Sequence, residues 1–207
     1  MLFIIAFVLL FLPISILYPT KVFCKNKLPK KKYKQGYIIC ANHYSNLDVV
    51  LFDVKFGRKI NYMAKKELFE NKFKSSIFKK LGGIPVDRSS ADLIAYKKAI
   101  QVLKDKKALG IFPEGTRNKQ DQAELQEIKS GAIVFASKTG TPIVPVAMLR
   151  KPKVFRKNYI LVGDAFYPQG AIPTKLTKEE IEQNTTMLSN IMNGLHEQLV
   201  SKTEKRK

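Results

Sequence analysis

YIICANHYSNLD, residues 37 to 48, changes character twice in twelve positions. Tyr37 to Ala41 is an unbroken apolar run, too short for a helix and of the kind a strand buried on both faces shows. Asn42 to Ser45 is polar, and LDVVLFDVKF, from Leu47 to Phe56, can then wind into a helix. Strand, loop and helix in that order form the repeating unit of an α/β fold, and the rest of the chain repeats it. Ile60 to Ala64 and Gly82 to Val86 read as strands, as do Ala108 to Phe112 and Tyr159 to Val162. Pro142 to Met148 is a further strand whose two prolines suggest a place near an edge. Between them, residues 65–80 put Leu68, Phe69, Phe73, Ile77 and Phe78 at helical spacings among six lysines. That segment either rests on an anionic membrane or faces the core with a solvated lysine face. Ser89 with Asp92 matches a capping box opening a helix with Leu93, Tyr96, Ile100 and Leu103 on its apolar face. Helices are also expected over 131–139, stopped by Gly140, and over 178–200, with Leu188, Leu195 and Leu199 inward. The predicted fold is α/β: a central, mostly parallel or mixed sheet flanked by helices, with an N-terminal hydrophobic membrane-associating helix.

Composition narrows the partners. The 207 residues hold 37 Lys and Arg against 17 Asp and Glu, a formal net charge of +20. Such a field favours nucleic acid, an acidic membrane surface or a phosphorylated substrate. Cys24 and Cys40 form no CxxC pair, and with His43 and His196 the only imidazoles no zinc site is expected. The opening MLFIIAFVLLFLPISILYP carries no charge over 19 residues, close to the roughly 20 needed to cross a bilayer. It lacks the basic start and small-residue end of a cleaved signal peptide. KNKLPKKKYK follows, with six lysines between residues 25 and 34, and basic flanks stay on the cytoplasmic side and attract anionic lipids. The chain therefore divides into an anchor (1–24), a basic juxtamembrane segment (25–35), a main domain (36–200) and a loose basic tail (201–207).

Three loops after predicted strands carry the polar residues that could do chemistry, and sites in open α/β sheets gather at strand ends. The first holds His43 and Asp48, a general base and a carboxylate able to fix its tautomer. Ser45 to Asp48 also matches a capping box, in which Asp48 serves only the backbone. Five residues turn about 500° in a helix, so the pair can meet only if His43 lies in the turn before it. The second loop holds Asp87 and Arg88. The third is FPEGTRN, residues 112–118, where Gly115 lets backbone approach a ligand and Arg117, with Arg88 and the Thr116 hydroxyl, suits a phosphate. Glu114 would repel a phosphate and fits better as a partner of Arg117 or of a substrate hydroxyl. His196, between Leu195 and Glu197, reads as structural.

Taken together, NHxxxxD at 42–48, GGIPVDR at 82–88, FPEGTR at 112–117 and IVPVA at 143–147 resemble the four motifs of the glycerolipid acyltransferases. The nearest resemblance is to the bacterial 1-acyl-glycerol-3-phosphate (lysophosphatidic acid) acyltransferases, over about Gly36 to Val162. It implies transfer of a fatty acyl group from acyl-coenzyme A or acyl carrier protein to the free sn-2 hydroxyl of 1-acyl-sn-glycerol 3-phosphate, giving phosphatidic acid. By the same resemblance His43 is the catalytic base and Asp48 its orienter. Arg88, Glu114, Gly115, Thr116 and Arg117 bind the substrate phosphate, and Pro145 shapes the acyl or acceptor site. Pro85 departs from the pattern, which often has an aromatic residue there. No cofactor or metal is expected beyond the acyl donor, and no nucleic acid. The expected partners are lysophosphatidic acid, the acyl thioester, acyl carrier protein and an anionic membrane surface. The expected location is the cell membrane, with the catalytic domain on its cytoplasmic face. A sibling acting on glycerol 3-phosphate or another lysophospholipid is the nearest alternative. A non-enzymatic basic protein binding membrane or nucleic acid is the alternative of a different class.

Overall fold

The computed structural model describes residues 13–24, 35–57, 59–87, 92–119, 125–170 and 176–205. Seven strands form one sheet: β1 (Thr20–Cys24), β2 (Tyr37–Ala41), β3 (Ile60–Lys65), β4 (Ile84–Val86), β5 (Ala108–Ile111), β6 (Ile143–Met148) and β7 (Asn158–Val162). Their order is β1-β7-β6-β2-β5-β3-β4. β2 pairs in parallel with β5 and β6, β3 joins β5 and β4 in parallel, and only β7 runs antiparallel to its neighbour β6. Helices are α1 (Leu47–Phe56), α2 (Lys72–Lys80), α3 (Leu93–Lys104), α4 (Gly131–Thr139) and α5 (Lys178–Glu204), with a 3₁₀ turn over Lys66–Phe69. The expected α/β class stands, with a mixed sheet.

Alternation along β2 explains the layers. Tyr37, Ile39 and Ala41 pack with Leu51, Phe52 and Phe56 of α1 on one face. Ile38 and Cys40 pack on the other with Ala99 and Leu103 of α3, Ile133 of α4 and Leu188 of α5. All five β2 residues are buried, as a strand covered on both faces requires. One edge of the sheet thus collects the C-terminal ends of β2 to β6 and, because β7 and β1 run the other way, the starts of those two strands.

Several expectations need correction. Residues 20–24, assigned above to the anchor, form β1 and pair with β7 from Thr20↔Asn158 to Cys24↔Val162. Residues 1–12, half of the expected anchor, lie outside the described residues, as do 25–34. Among the described residues no helix is long and apolar enough to cross a membrane. β6 is interior rather than near an edge. Pro145 is tolerated there because its backbone faces away from β2: its carbonyl accepts Gly163 N–H (2.9 Å), just past the last residue of β7. No ladder bond to β2 is lost. The 65–80 segment breaks in two, since the Asn71 side chain accepts Phe73 N–H (3.0 Å) and starts α2 afresh. Asp92 caps α3, accepting from Ile94 and Ala95 N–H; Ser89, expected in that role, lies outside the described residues. That register turns Ala95, Ala99 and Leu103 inward and leaves Leu93 67% exposed. α5 continues to Glu204, into the tail expected to be loose.

Candidate active site

Where the backbone of β2 leaves the sheet, Asn42 continues the pairing with its side chain. Its Nδ2 donates to Met148 carbonyl (2.9 Å) and its Oδ1 accepts Met148 N–H (2.7 Å), clamping β2 to β6. His43 follows, in the turn before α1, and Asp48 sits in the helix's first turn. Asp48 is fully buried. Its Oδ2 accepts three N–H groups: His43 Nδ1 at 2.9 Å, Tyr44 N at 2.7 Å and Ser45 N at 2.8 Å. The capping and orienting readings of this stretch are therefore not rivals, because one oxygen does both. A carboxylate oxygen only accepts, so Nδ1 carries the ring proton and Nε2 presents its lone pair. About 15% of the His43 side chain is exposed, and among the described residues Nε2 has no partner.

The third loop grips the same histidine from the other side. Phe112 stacks on the imidazole, centroids 3.9 Å apart and planes at 17°. Tyr62 stacks behind Phe112 at 5.8 Å. Gly110 makes room for that ring, since a Cβ there would lie 2.3 Å from Tyr62 Cδ1 and Cε1. Glu114 Oε1 accepts His43 N–H (2.8 Å), and Asn118 N–H donates to His43 carbonyl (2.7 Å). Gly115 takes φ +70°, a left-handed conformation that closes the turn and favours glycine.

The other expected site residues fall as follows. Glu114, grouped above with the phosphate ligands, is turned inward: it is 5% exposed, and Oε2 accepts Gln126 N–H (3.4 Å). Burial pushes its carboxyl up, while the N–H groups of His43 and Gln126 pull it back. Thr116 is exposed, with its hydroxyl donating to Gln126 Oε1 (3.0 Å). Arg117 is exposed and has no partner among the described residues. Arg88 lies outside the described residues, next to Asp87, whose carboxylate meets Lys66 and whose N–H donates to Asp92 Oδ2 (2.9 Å). Pro145 directs its ring toward Gly163, with Ile143 and Ala147, on the α3–α5 side of the sheet and away from the face that α1 covers. Buried His196, as read from the sequence, is structural: Nε2 donates to Leu149 carbonyl (3.1 Å), and burial pushes its pKa down. Asn42, Phe112 and Asn118 have no role in the sequence reading, although Asn42 precedes His43 and the other two bound the FPEGTRN loop.

Asp53, further along α1, is 7% exposed and accepts Ile60 N–H (3.2 Å). Burial pushes its carboxyl up to about 7, against the pull of Ile60 N–H and Lys59. Among the described residues no three His, Cys, Asp or Glu are grouped to hold a metal. What this constellation can do is take a proton at one nitrogen and stabilise the resulting imidazolium with a buried carboxylate.

A family model described as Acyltransferase matches residues 21–149, which include all but the first residue of β1, the strands β2 to β6 and the described site. The chain belongs to the acyltransferase family. Among its relatives in that family, a 1-acyl-sn-glycerol-3-phosphate acyltransferase of Bacillus subtilis is 38% identical over 128 residues, 61% of each chain. Another of the same name from Borreliella burgdorferi is 36% identical over 135 residues, 64% of this chain and 52% of its own. The match thus spans between half and two thirds of these relatives' length. In fold the chain is similar to a solved 1-acyl-sn-glycerophosphate (LPA) acyltransferase, PlsC, of Thermotoga maritima. The TM-score is 0.63, with 23% identity over 87% of this chain and 73% of the other.

Proposed function

We propose that the chain transfers a fatty acyl group from an acyl thioester to the free sn-2 hydroxyl of 1-acyl-sn-glycerol 3-phosphate, forming phosphatidic acid and a free thiol. The observation that carries this reading is the His43–Asp48 pair at 2.9 Å, with Nε2 left open. In the proposed reaction Nε2 accepts the hydroxyl proton while the oxygen bonds to the thioester carbonyl carbon. Asp48 stabilises the imidazolium. As the tetrahedral intermediate collapses the C–S bond breaks, and the sulfur leaves with the proton from Nε2. His43 returns to its starting form without being acylated. Arg117, exposed and free to form a bidentate contact, is the described residue best suited to the acceptor phosphate, with Arg88 as its proposed companion. The relatives' names support this acceptor. The donor is acyl-coenzyme A or acyl carrier protein, with no cofactor besides. The uncharged N-terminal run and the lysines behind it support a place at the cell membrane, with the catalytic domain on the cytoplasmic face.

The test is acyl transfer by the full chain beside His43→Ala, with both donors. Removing a general base should cost about 10²- to 10⁴-fold, with the thermal midpoint unchanged. Activity within tenfold of wild type in a folded His43→Ala protein would rule the mechanism out.

A further inference from the structure

Phe112 lies against His43 but has no part in the proton transfer described above, and its pose is an uncommon one for two neutral rings. The centroids are 3.9 Å apart and the planes meet at 17°. Carbon atoms pack at about 3.5–4.0 Å, so the rings overlap nearly face to face with little offset. Two uncharged aromatic rings prefer to slide apart or turn edge to face, because their negative faces repel. A cation over the same face is attracted instead. The arrangement therefore suits the imidazolium that forms during the reaction better than the imidazole that precedes it.

Such a partner has work to do at this position. About 15% of the His43 side chain is exposed, so a proton taken at Nε2 places positive charge where little water reaches, at a cost that neighbouring groups must offset. Asp48 meets that charge at one edge of the ring, through Nδ1. Phe112 lies over the face. An aliphatic residue there would exclude water equally well and give the cation nothing in return.

The Phe112 ring is itself held from behind. Tyr62, on β3, stacks nearly parallel to it, centroids 5.8 Å apart and planes at 10°, and Phe52 flanks it at 6.2 Å. Tyr62 fits because Gly110, on the neighbouring β5, has no Cβ to block the ring. Its hydroxyl is hydrogen-bonded to the buried Asp53 carboxyl and reaches toward Val49 carbonyl (3.5 Å). Helix α1 thus braces the column of rings at both ends, with Asp48 at His43 and Asp53 at Tyr62.

We infer that Phe112 is a catalytic group whose ring face stabilises the His43 imidazolium in the transition state, and that Tyr62 is the positioning residue that holds it there. This rests on the general-base reading of His43 and adds to it a second source of charge stabilisation, drawn from an uncharged residue. Asp48 acts on the edge of the imidazole and Phe112 on its face, so the two contributions are separable.

Fluorinated phenylalanines incorporated at position 112 of the full chain test this, because each added fluorine drains negative charge from the ring face while changing its shape little. Across phenylalanine and its 4-fluoro, 3,5-difluoro and 3,4,5-trifluoro forms, kcat for acyl transfer to 1-acyl-sn-glycerol 3-phosphate should fall stepwise. Acceptor KM and the thermal midpoint should stay level. Phe112→Leu, which keeps the cover but not the π face, should lose roughly 2- to 30-fold in kcat. Tyr62→Leu should lose a similar factor and flatten the fluorine series. Tyr62→Phe, which keeps the ring, should retain most of the rate that Tyr62→Leu loses. His43→Ala, run beside them, shows which claim an adverse result strikes. A kcat indifferent to fluorination or to Phe112→Leu, with His43→Ala inactive, would overturn the role of Phe112 and leave the general base standing. A steep series that persists in Tyr62→Leu would overturn the positioning role alone. Full activity in His43→Ala, or no turnover by wild type with either thioester, would sink the functional reading and this inference together.

Discussion

Asp48→Asn separates the electrostatic role of this residue from its structural one. Three N–H donors converge on Oδ2, at 2.7, 2.8 and 2.9 Å. An asparagine placed there must keep its carbonyl oxygen at that point, because the reversed amide would set its own donors against all three. His43 Nδ1–H therefore keeps an acceptor and the tautomer does not flip. What is lost is the negative charge facing the imidazolium. At a charge separation of about 4 Å and an effective dielectric near 20, that attraction is about 4 kcal/mol. An amide dipole retains part of it, which leaves a net loss of about 2–4 kcal/mol, or roughly 30- to 1000-fold in kcat. The loss of about 10⁴ that goes with a wrong tautomer is not expected. Thiol release under saturating acceptor reads kcat directly, with the thermal midpoint as the folding control. Asp48→Ala, by contrast, strips the acceptor from Tyr44 and Ser45 and should cost a further ~1–3 kcal/mol of stability for each N–H left buried and unpaired. Asp48→Asn activity within threefold of wild type, or a loss of 10⁴-fold or more in a folded protein, would refute the reasoning.

If Glu114 positions His43 rather than binding phosphate, Glu114→Ala should lower kcat by about 10- to 100-fold, the loss of one hydrogen bond to a charged group. Acceptor KM should move little, and Glu114→Gln, which keeps an acceptor for His43 N–H, should restore most of the rate; steady-state kinetics on both variants decides it. Arg117→Ala should do the reverse, raising acceptor KM about 10- to 100-fold for a lost charge-assisted contact while sparing kcat, as the same assay run across acceptor concentrations will report. Asp53 binds its proton more tightly in the folded chain, at about 7, than unfolded, near 4. Its ionisation therefore opposes folding, and this contribution to stability falls as pH rises from about 4 to about 7 and is flat above. Asp53→Asn keeps the acceptor for Ile60 N–H and removes that slope, so its advantage over wild type should grow by about 1–3 kcal/mol between pH 5 and pH 8 in denaturant titrations.

Much of this architecture was legible because it rests on local patterns. The apolar β2 run, its polar exit and the helix after it obey periodicities that need no knowledge of the neighbours. Elements that depend on neighbours were not legible. β1 has no clear alternation to mark it, and its five residues follow directly on the uncharged run 1–19 that suggests a membrane anchor. It becomes a strand because the exposed edge of β7 takes it. The two prolines of β6 argued for an edge, and only the break after Val162, where Gly163 meets Pro145, shows why an interior strand accepts one. At the site the chemistry of His43 and Asp48 was readable from residue type, but the part played by Glu114 was not. A carboxylate in a phosphate-seeking loop gives no hint that it faces a backbone N–H on another loop.

The spacing of the motifs follows from how completely His43 is held. Asp48 takes Nδ1, Phe112 covers a ring face, Glu114 takes the backbone N–H and Asn118 the carbonyl. One of these grips comes from the first turn of the helix after β2, and three come from the seven residues after β5, the strand hydrogen-bonded beside β2. A single loop could not reach both the backbone and the far ring nitrogen of the same residue, whereas two adjacent parallel strands deliver their loops to the same edge. The result is a histidine with one uncommitted group, Nε2, whose position is set before any substrate arrives. Pre-setting of that kind lowers the cost of bringing base and hydroxyl into line, and it explains why two short motifs some seventy residues apart must be present together for either to have a function.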